Sequence, residues 1–254
     1  MLAYVLWNVC GERSETRRVC GVTVTTLRLS RRRGEPAFLF RLRLRRMARR
    51  LVRQGVRLCV FGGDFPYADI FFAAGLRAPD LVRFRRALIV PLTEAALGAL
   101  SLRARDTTLA VWGGTLDAQT EEALTALCRR VRHLALDMRG ADGFCRRMQY
   151  RFGVSVQRVP LPARSTMAQL ALALEAREGA ANCPVVPLYE GAEEAFTVAC
   201  RAPQGVLSLA ASEEDVELLC AALWGLHALR ASDVAITHAA FSKLDKPMQK
   251  QYNI

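Results

Sequence analysis

The stretch from Thr107 to Val159 constrains this chain more than any other. It reads strand, glycine pair, helix, strand, helix, strand, and that alternation predicts a parallel sheet with right-handed crossovers. Thr107-Thr-Leu-Ala-Val-Trp112 is a short apolar run suited to a strand buried on both faces. Gly113 and Gly114 follow, and Asp117 is placed to cap a helix over 118–132. Glu121 and Glu122 favour the positive N-terminal end of that helix; Arg129, Arg130 and Arg132 favour its C-terminal end. His133 to Leu136 gives the second strand, closed by Asp137. A second helix is expected over 141–152, stopped by Gly153, and Val154 to Val159 gives the third strand.

On those residues the stretch, about a fifth of the chain, resembles half of a Rossmann-type nucleotide-binding domain. In such domains a glycine turn after the first strand admits a pyrophosphate to the helix N-terminus, and an acidic residue ending the second strand holds a ribose. Gly113, Gly114 and Asp137 occupy the matching positions, with Thr115 beside them, so the resemblance implies a nucleotide or dinucleotide ligand. The pattern departs in detail. Gly113-Gly-Thr-Leu-Asp-Ala118 stands where the family has G-x-G-x-x-G, and Asp117 sets a negative charge near any phosphate. The alternative reading is a tight strand-to-helix turn with no ligand.

A second strand, Val56 to Phe61, also ends in a glycine pair, Gly62-Gly63, followed by Asp64 and a short helix over 67–74. Were it in the same sheet, both pairs would share the carboxyl edge where open α/β sheets bind ligands. Gly62, Gly63, Asp64, Tyr67, Asp69, Thr115, Asp117 and Asp137 would then line one cleft.

Around this centre, Leu2 to Trp7 is a first strand and 8–18 a polar loop. The alternating Val22 to Leu29 is expected to pair with the first strand as a hairpin or meander. A strong amphipathic helix covers 37–54. Ala37, Phe40, Leu44, Met47, Ala48 and Leu51 line one face; Arg45, Arg46, Arg49, Arg50 and Arg53 line the other. Residues 79–103 keep helical spacing and predict one helix kinked at Pro91. Residues 167–174 carry both helix and strand signals, with a fourth parallel strand due there. Strands are expected at 184–189 and 195–200, a helix from Ser212 to about Leu229, a last strand at 234–237, and a polar tail over 241–254.

The whole predicts a Rossmann-like α/β fold. An N-terminal α/β part spans 1–105, a Rossmann-like part 106–240, and the best boundary lies at Arg103 to Asp106. Apolar content of 52% over 254 residues supplies a core and argues against disorder. No apolar run reaches membrane-span length. The eight cysteines are scattered without Cys-x-x-Cys, as expected of reduced thiols in a cytoplasmic protein.

The net charge is +12. It invites nucleic acid, an anionic membrane surface or an acidic protein partner, through Arg45, Arg46, Arg49 and Arg50. Nearly all of it is arginine, however, and an arginine-, alanine- and leucine-rich composition also follows from GC-rich coding without functional demand. No catalytic or metal-ligand spacing stands out among His133, His227, His238 and the carboxylates; Asp64 with Asp69, and Tyr189 with Glu190, are the nearest to one. Three readings remain. The first is a phosphorylated small molecule or nucleotide held at the glycine pairs. The second is a polyanion or acidic protein held by the basic helix. The third is a structural or regulatory scaffold.

Overall fold

The structure, a computed structural model, describes residues 1–7, 13–158, 168–176, 183–191 and 195–241. In chain order the elements are β1 (Leu2–Trp7), β2 (Arg13–Val19), β3 (Val22–Leu29), α1 (Ala37–Arg53), β4 (Leu58–Gly62), α2 (Ala68–Ala73), α3 (Leu81–Ala87) and α4 (Ile89–Ala99). Then come β5 (Thr108–Thr115), α5 (Ala118–Cys128), β6 (His133–Arg139), α6 (Ala141–Phe152), β7 (Val156–Arg158), β8 (Leu170–Ala173) and β9 (Val185–Pro187). The chain continues through β10 (Phe196–Arg201), α7 (Gln204–Leu207), α8 (Glu213–Gly225) and β11 (Ala235–Phe241). The protein is a mixed α/β fold of Rossmann-like class, with mostly parallel sheets flanked by helices.

The chain divides into two units. One comprises Met1–Phe84 and Ala199–Ala235, the other Arg85–Val198 and Ile236–Ile254. The boundary expected at Arg103 to Asp106 therefore falls near Phe84, and a segment assigned to the second part returns to the first. The reason lies in the first sheet, which is apolar on both faces and needs a helix on each.

That sheet has the order β2-β3-β1-β4. β1 runs parallel to both β3 and β4, and β2 is antiparallel to β3. The strand over 22–29 thus pairs with β1 in parallel, not as its hairpin. Its hairpin partner is β2, read from sequence as a polar loop, because Arg13 to Arg18 lie largely in solvent on an edge strand. Ala3 and Val5, Leu27 and Leu29, and Cys59 face Phe40, Leu44, Ala48 and Leu51 of α1 and Ile70 and Phe71 of α2. On the other face α8 packs against β4.

The second unit carries a five-stranded sheet, all parallel, in the order β7-β6-β5-β8-β9. Numbered within the unit this is 3-2-1-4-5, the doubly wound order. The ambiguous segment resolves as strand β8 over Leu170–Ala173; the described residues begin again only at 168. β9 lies at the sheet edge, as Pro187 within it and Pro184 just before it favour. The single helix expected over 79–103 is two, α3 and α4, parted at Leu88. Pro91 sits in the first turn of α4, where its missing N–H breaks no bond.

β10 and β11 form a two-stranded sheet through which the chain passes between the units. The last strand extends to Phe241, beyond the expected Thr237, and the tail over 242–254 lies outside the described residues.

Candidate functional site

The two glycine pairs do not share an edge. β4 belongs to the four-stranded sheet and β5 to the five-stranded one. The single cleft drawn through Gly62, Gly63, Asp64, Tyr67, Asp69, Thr115, Asp117 and Asp137 therefore separates into two groups, because the similar strand ends lie in different sheets.

In the first unit, packing occupies the glycine position. A Cβ on Gly62 would stand 2.7 Å from Leu6 Cδ2 and 3.2 Å from both Asp215 Oδ2 and the Tyr4 hydroxyl. Tyr4 Oη donates to Asp215 Oδ2 at 2.7 Å and accepts from the Ala211 amide at 3.0 Å. Asp215 also accepts from the Ser212 amide, closing the capping box that starts α8. Burial, and then the bond to Asp215, hold the Tyr4 phenol far above its usual range. Gly62 thus allows the close approach of strand and helix. Gly63 and Asp64 are exposed. Phe65 and Tyr67 turn back onto Trp7, with ring centroids 5.8 and 5.7 Å away, and Phe65 stacks on Phe61 at 5.0 Å. Aromatic rings therefore pack where a ligand crevice was expected.

In the second unit, crossovers reverse direction between β5 and β8, so their carboxyl ends define the switch point of the sheet. Gly113 and Gly114 lie inside β5. They form an irregularity between Trp112 and Thr115, after which Thr115 pairs again with Arg139 of β6. Their φ values, +88° and +70°, explain why glycine stands at both positions. Gly113 meets a further demand: a Cβ there would lie 2.7 Å from the Glu175 amide nitrogen and 2.8 Å from Glu175 Cβ. The end of β8 thus rests on the backbone where a pyrophosphate was expected. Asp117 caps α5, accepting from the Thr120 amide at 2.7 Å. Asp137 is in register with Trp112 and half-buried, two residues before the end of β6, where a strand end had been expected.

Two groups at this edge carried no local signal in the sequence. Arg86 donates through Nη2 to the Leu174 carbonyl at 2.7 Å and through Nε to the Leu188 carbonyl at 3.1 Å. It ties together the chain just beyond β8 and β9 from 88 and 102 residues away. Trp112 is 2% exposed, and its indole N–H has no hydrogen-bond partner among the described residues. It lies among Ala110, Ala171 and Ala173, with Cys183, Val185 and Tyr189 alongside.

Among the described residues no three His, Cys, Asp or Glu side chains gather as a metal site. His133, His227 and His238 are exposed, as are Asp64, Asp69 and Glu190. The seven described cysteines are unbridged. Burial pushes Cys128 up to about 11, and Cys183 and Cys220 up to about 12, so these thiols stay protonated and unreactive at neutral pH. No described helix is long and apolar enough to cross a membrane.

No protein-family model matches the chain, and no curated protein does. Solved structures similar to it include L-tryptophan dehydrogenase from Nostoc punctiforme, 13% identical over 60% of this chain and 44% of that one, with a TM-score of 0.30. Another is the leucine-bound hetero-hexameric glutamate dehydrogenase from Thermus thermophilus, 14% identical over 89% of this chain and 66% of that one, also at 0.30. The chain spans less than two thirds of either. A likeness at that score fixes neither ligand nor reaction, and the fold class stands on the chain's own strand order.

Proposed function

We propose that the second unit binds a small nucleotide-type molecule at the carboxyl ends of β5 and β8. One observation carries the reading: the order β7-β6-β5-β8-β9 puts the switch point of a doubly wound sheet between those strands. The groups around it suit a ligand richer in hydroxyls than in phosphate. Asp137, Thr115 and Glu175 supply acceptors for a diol. The Trp112 N–H, without a partner among the described residues, supplies one buried donor. Arg86 supplies the nearby positive charge. Asp117 already caps α5, and both it and Glu175 disfavour a pyrophosphate at the helix start. A nucleoside or nucleoside monophosphate fits this set better than a dinucleotide. The reading is one of binding; it includes no reaction.

Thermal unfolding against nucleosides, nucleotides, dinucleotides and sugar phosphates tests it. A ligand at about a hundred times its dissociation constant adds about 2.7 kcal/mol. The expected result is a salt-resistant rise in midpoint with a nucleoside or monophosphate, lost in Asp137→Asn. A cooperative melt that none of these ligands shifts would overturn the reading.

A further inference from the structure

We propose that α1 is a docking face for an anionic lipid bilayer. The helix carries seven arginines and no acidic residue. Arg43 is engaged by Glu35 and the Ser30 carbonyl, and Arg41 lies over the Tyr67 ring. Arg45, Arg46, Arg49, Arg50 and Arg53 are exposed and make no hydrogen bond or ion pair among the described residues. Their charge is directed at solvent, with Asp69 of α2 lining a groove beside Arg45 and Arg49.

Helical spacing already places Phe38 at the edge of the arginine face; the structure shows it exposed, with two leucines beside it. Phe38 is 68% exposed, Leu39 44% and Leu42 42%, all in the first two turns of the same helix. Phe38 and Leu42 are one turn apart, and the stripe they begin continues through Arg45, Arg46, Arg49 and Arg53. Apolar side chains flush with arginines are what an interfacial helix needs. The former enter the acyl boundary while the guanidiniums hold lipid phosphates.

Two comparisons favour lipid over nucleic acid. Bases stack on aromatic rings, yet two of the three exposed apolar groups here are leucines, which offer no π face. α6 has the better stacking groups, Tyr150 at 93% exposure and Phe152 at 45%. Its charge, however, is partly met: Arg147 pairs with Glu121, and Arg158 of neighbouring β7 pairs with Asp142.

Co-sedimentation of the full chain with phosphatidylcholine vesicles, with and without phosphatidylserine, tests the proposal. Binding is expected only with the anionic lipid and should fall as salt rises. Arg45→Gln/Arg46→Gln/Arg49→Gln should weaken partitioning roughly a hundredfold, at about fivefold for each arginine. Phe38→Ser/Leu42→Ser should weaken it at least about tenfold, with only a small fall in the melting midpoint, since Phe38 is 68% and Leu42 42% exposed. Phe38→Trp gives a second readout: its emission should shift to the blue on anionic vesicles alone. The proposal is overturned if neither vesicle binds, or if the serine pair binds like the parent chain. It is overturned in favour of nucleic acid if a single-stranded oligonucleotide displaces the vesicles with an affinity set by the arginines and indifferent to Phe38 and Leu42.

Discussion

The Tyr4 hydroxyl donates a 2.7 Å hydrogen bond to Asp215 and so ties the middle of β1 to the first turn of α8, 211 residues away. Tyr4→Phe strips a partner from the buried Asp215 carboxylate and from the Ala211 amide, and should cost about 1–3 kcal/mol. Asp215→Asn keeps an acceptor for the phenol and should cost less. Urea unfolding of both variants checks the order. A loss near zero in Tyr4→Phe would mean that the phenol contributes packing alone.

Gly113 and Gly114 differ in what surrounds them, and alanine should separate them. Each substitution places a side chain at positive φ, worth about 1–2 kcal/mol. At Gly114 the nearest atom is Glu175 Oε1, 3.8 Å from the new Cβ. At Gly113 the new Cβ meets the Glu175 backbone at 2.7 Å, and the end of β8 must move. Gly113→Ala should therefore destabilise the chain clearly more than Gly114→Ala, as read from the two melting midpoints.

Arg86 holds the Leu174 and Leu188 carbonyls with two nitrogens of one planar group. Lysine offers a single point donor and cannot reproduce that fork. Arg86→Lys should cost about 1.5–3 kcal/mol, the value of one charged hydrogen bond. Amide exchange at Leu174 and Leu188 should quicken more than exchange in β6. Uniform exchange would deny the clamp.

Stability should fall at alkaline pH. Cys128 is raised to about 11, and Cys183 and Cys220 to about 12, by burial in the folded chain, against an ordinary value of 9.0. Between those values the unfolded chain has lost thiol protons that the native chain retains. The native state then binds more protons, and stability declines as pH rises above about 9 while staying flat through neutrality. Denaturant midpoints at neutral and alkaline pH measure this. Cys220→Ala should reduce the slope.

How far the sequence foretold this structure depended on how local each signal was. The succession β5-α5-β6-α6-β7 was legible because the Asp117 cap, the Gly153 stop and apolar periodicity each act within a few residues. The Ser212–Asp215 capping box announced α8 in the same way. β2 was hidden because Arg13, Arg17 and Arg18 give it the composition of a loop. The glycine pairs had the right residues for a phosphate turn, but their reasons are tertiary: Leu6 and Tyr4 press on Gly62, and Glu175 presses on Gly113. Arg86 and the unpartnered Trp112 N–H join the edge through contacts or burial that no short window contains.

The first unit is built from two separate stretches, Met1–Phe84 and Ala199–Ala235, with residues 85–198 between them. During synthesis β1 to β4 leave the ribosome long before α8. At roughly 5–20 residues per second, their sheet waits about 8–30 seconds for the helix that covers its second face. Through that interval Tyr4 lacks Asp215 and β4 lacks α8. The nascent chain is then a client for chaperones, and a stall between β5 and β9 would leave the first-made part of the protein as its most aggregation-prone.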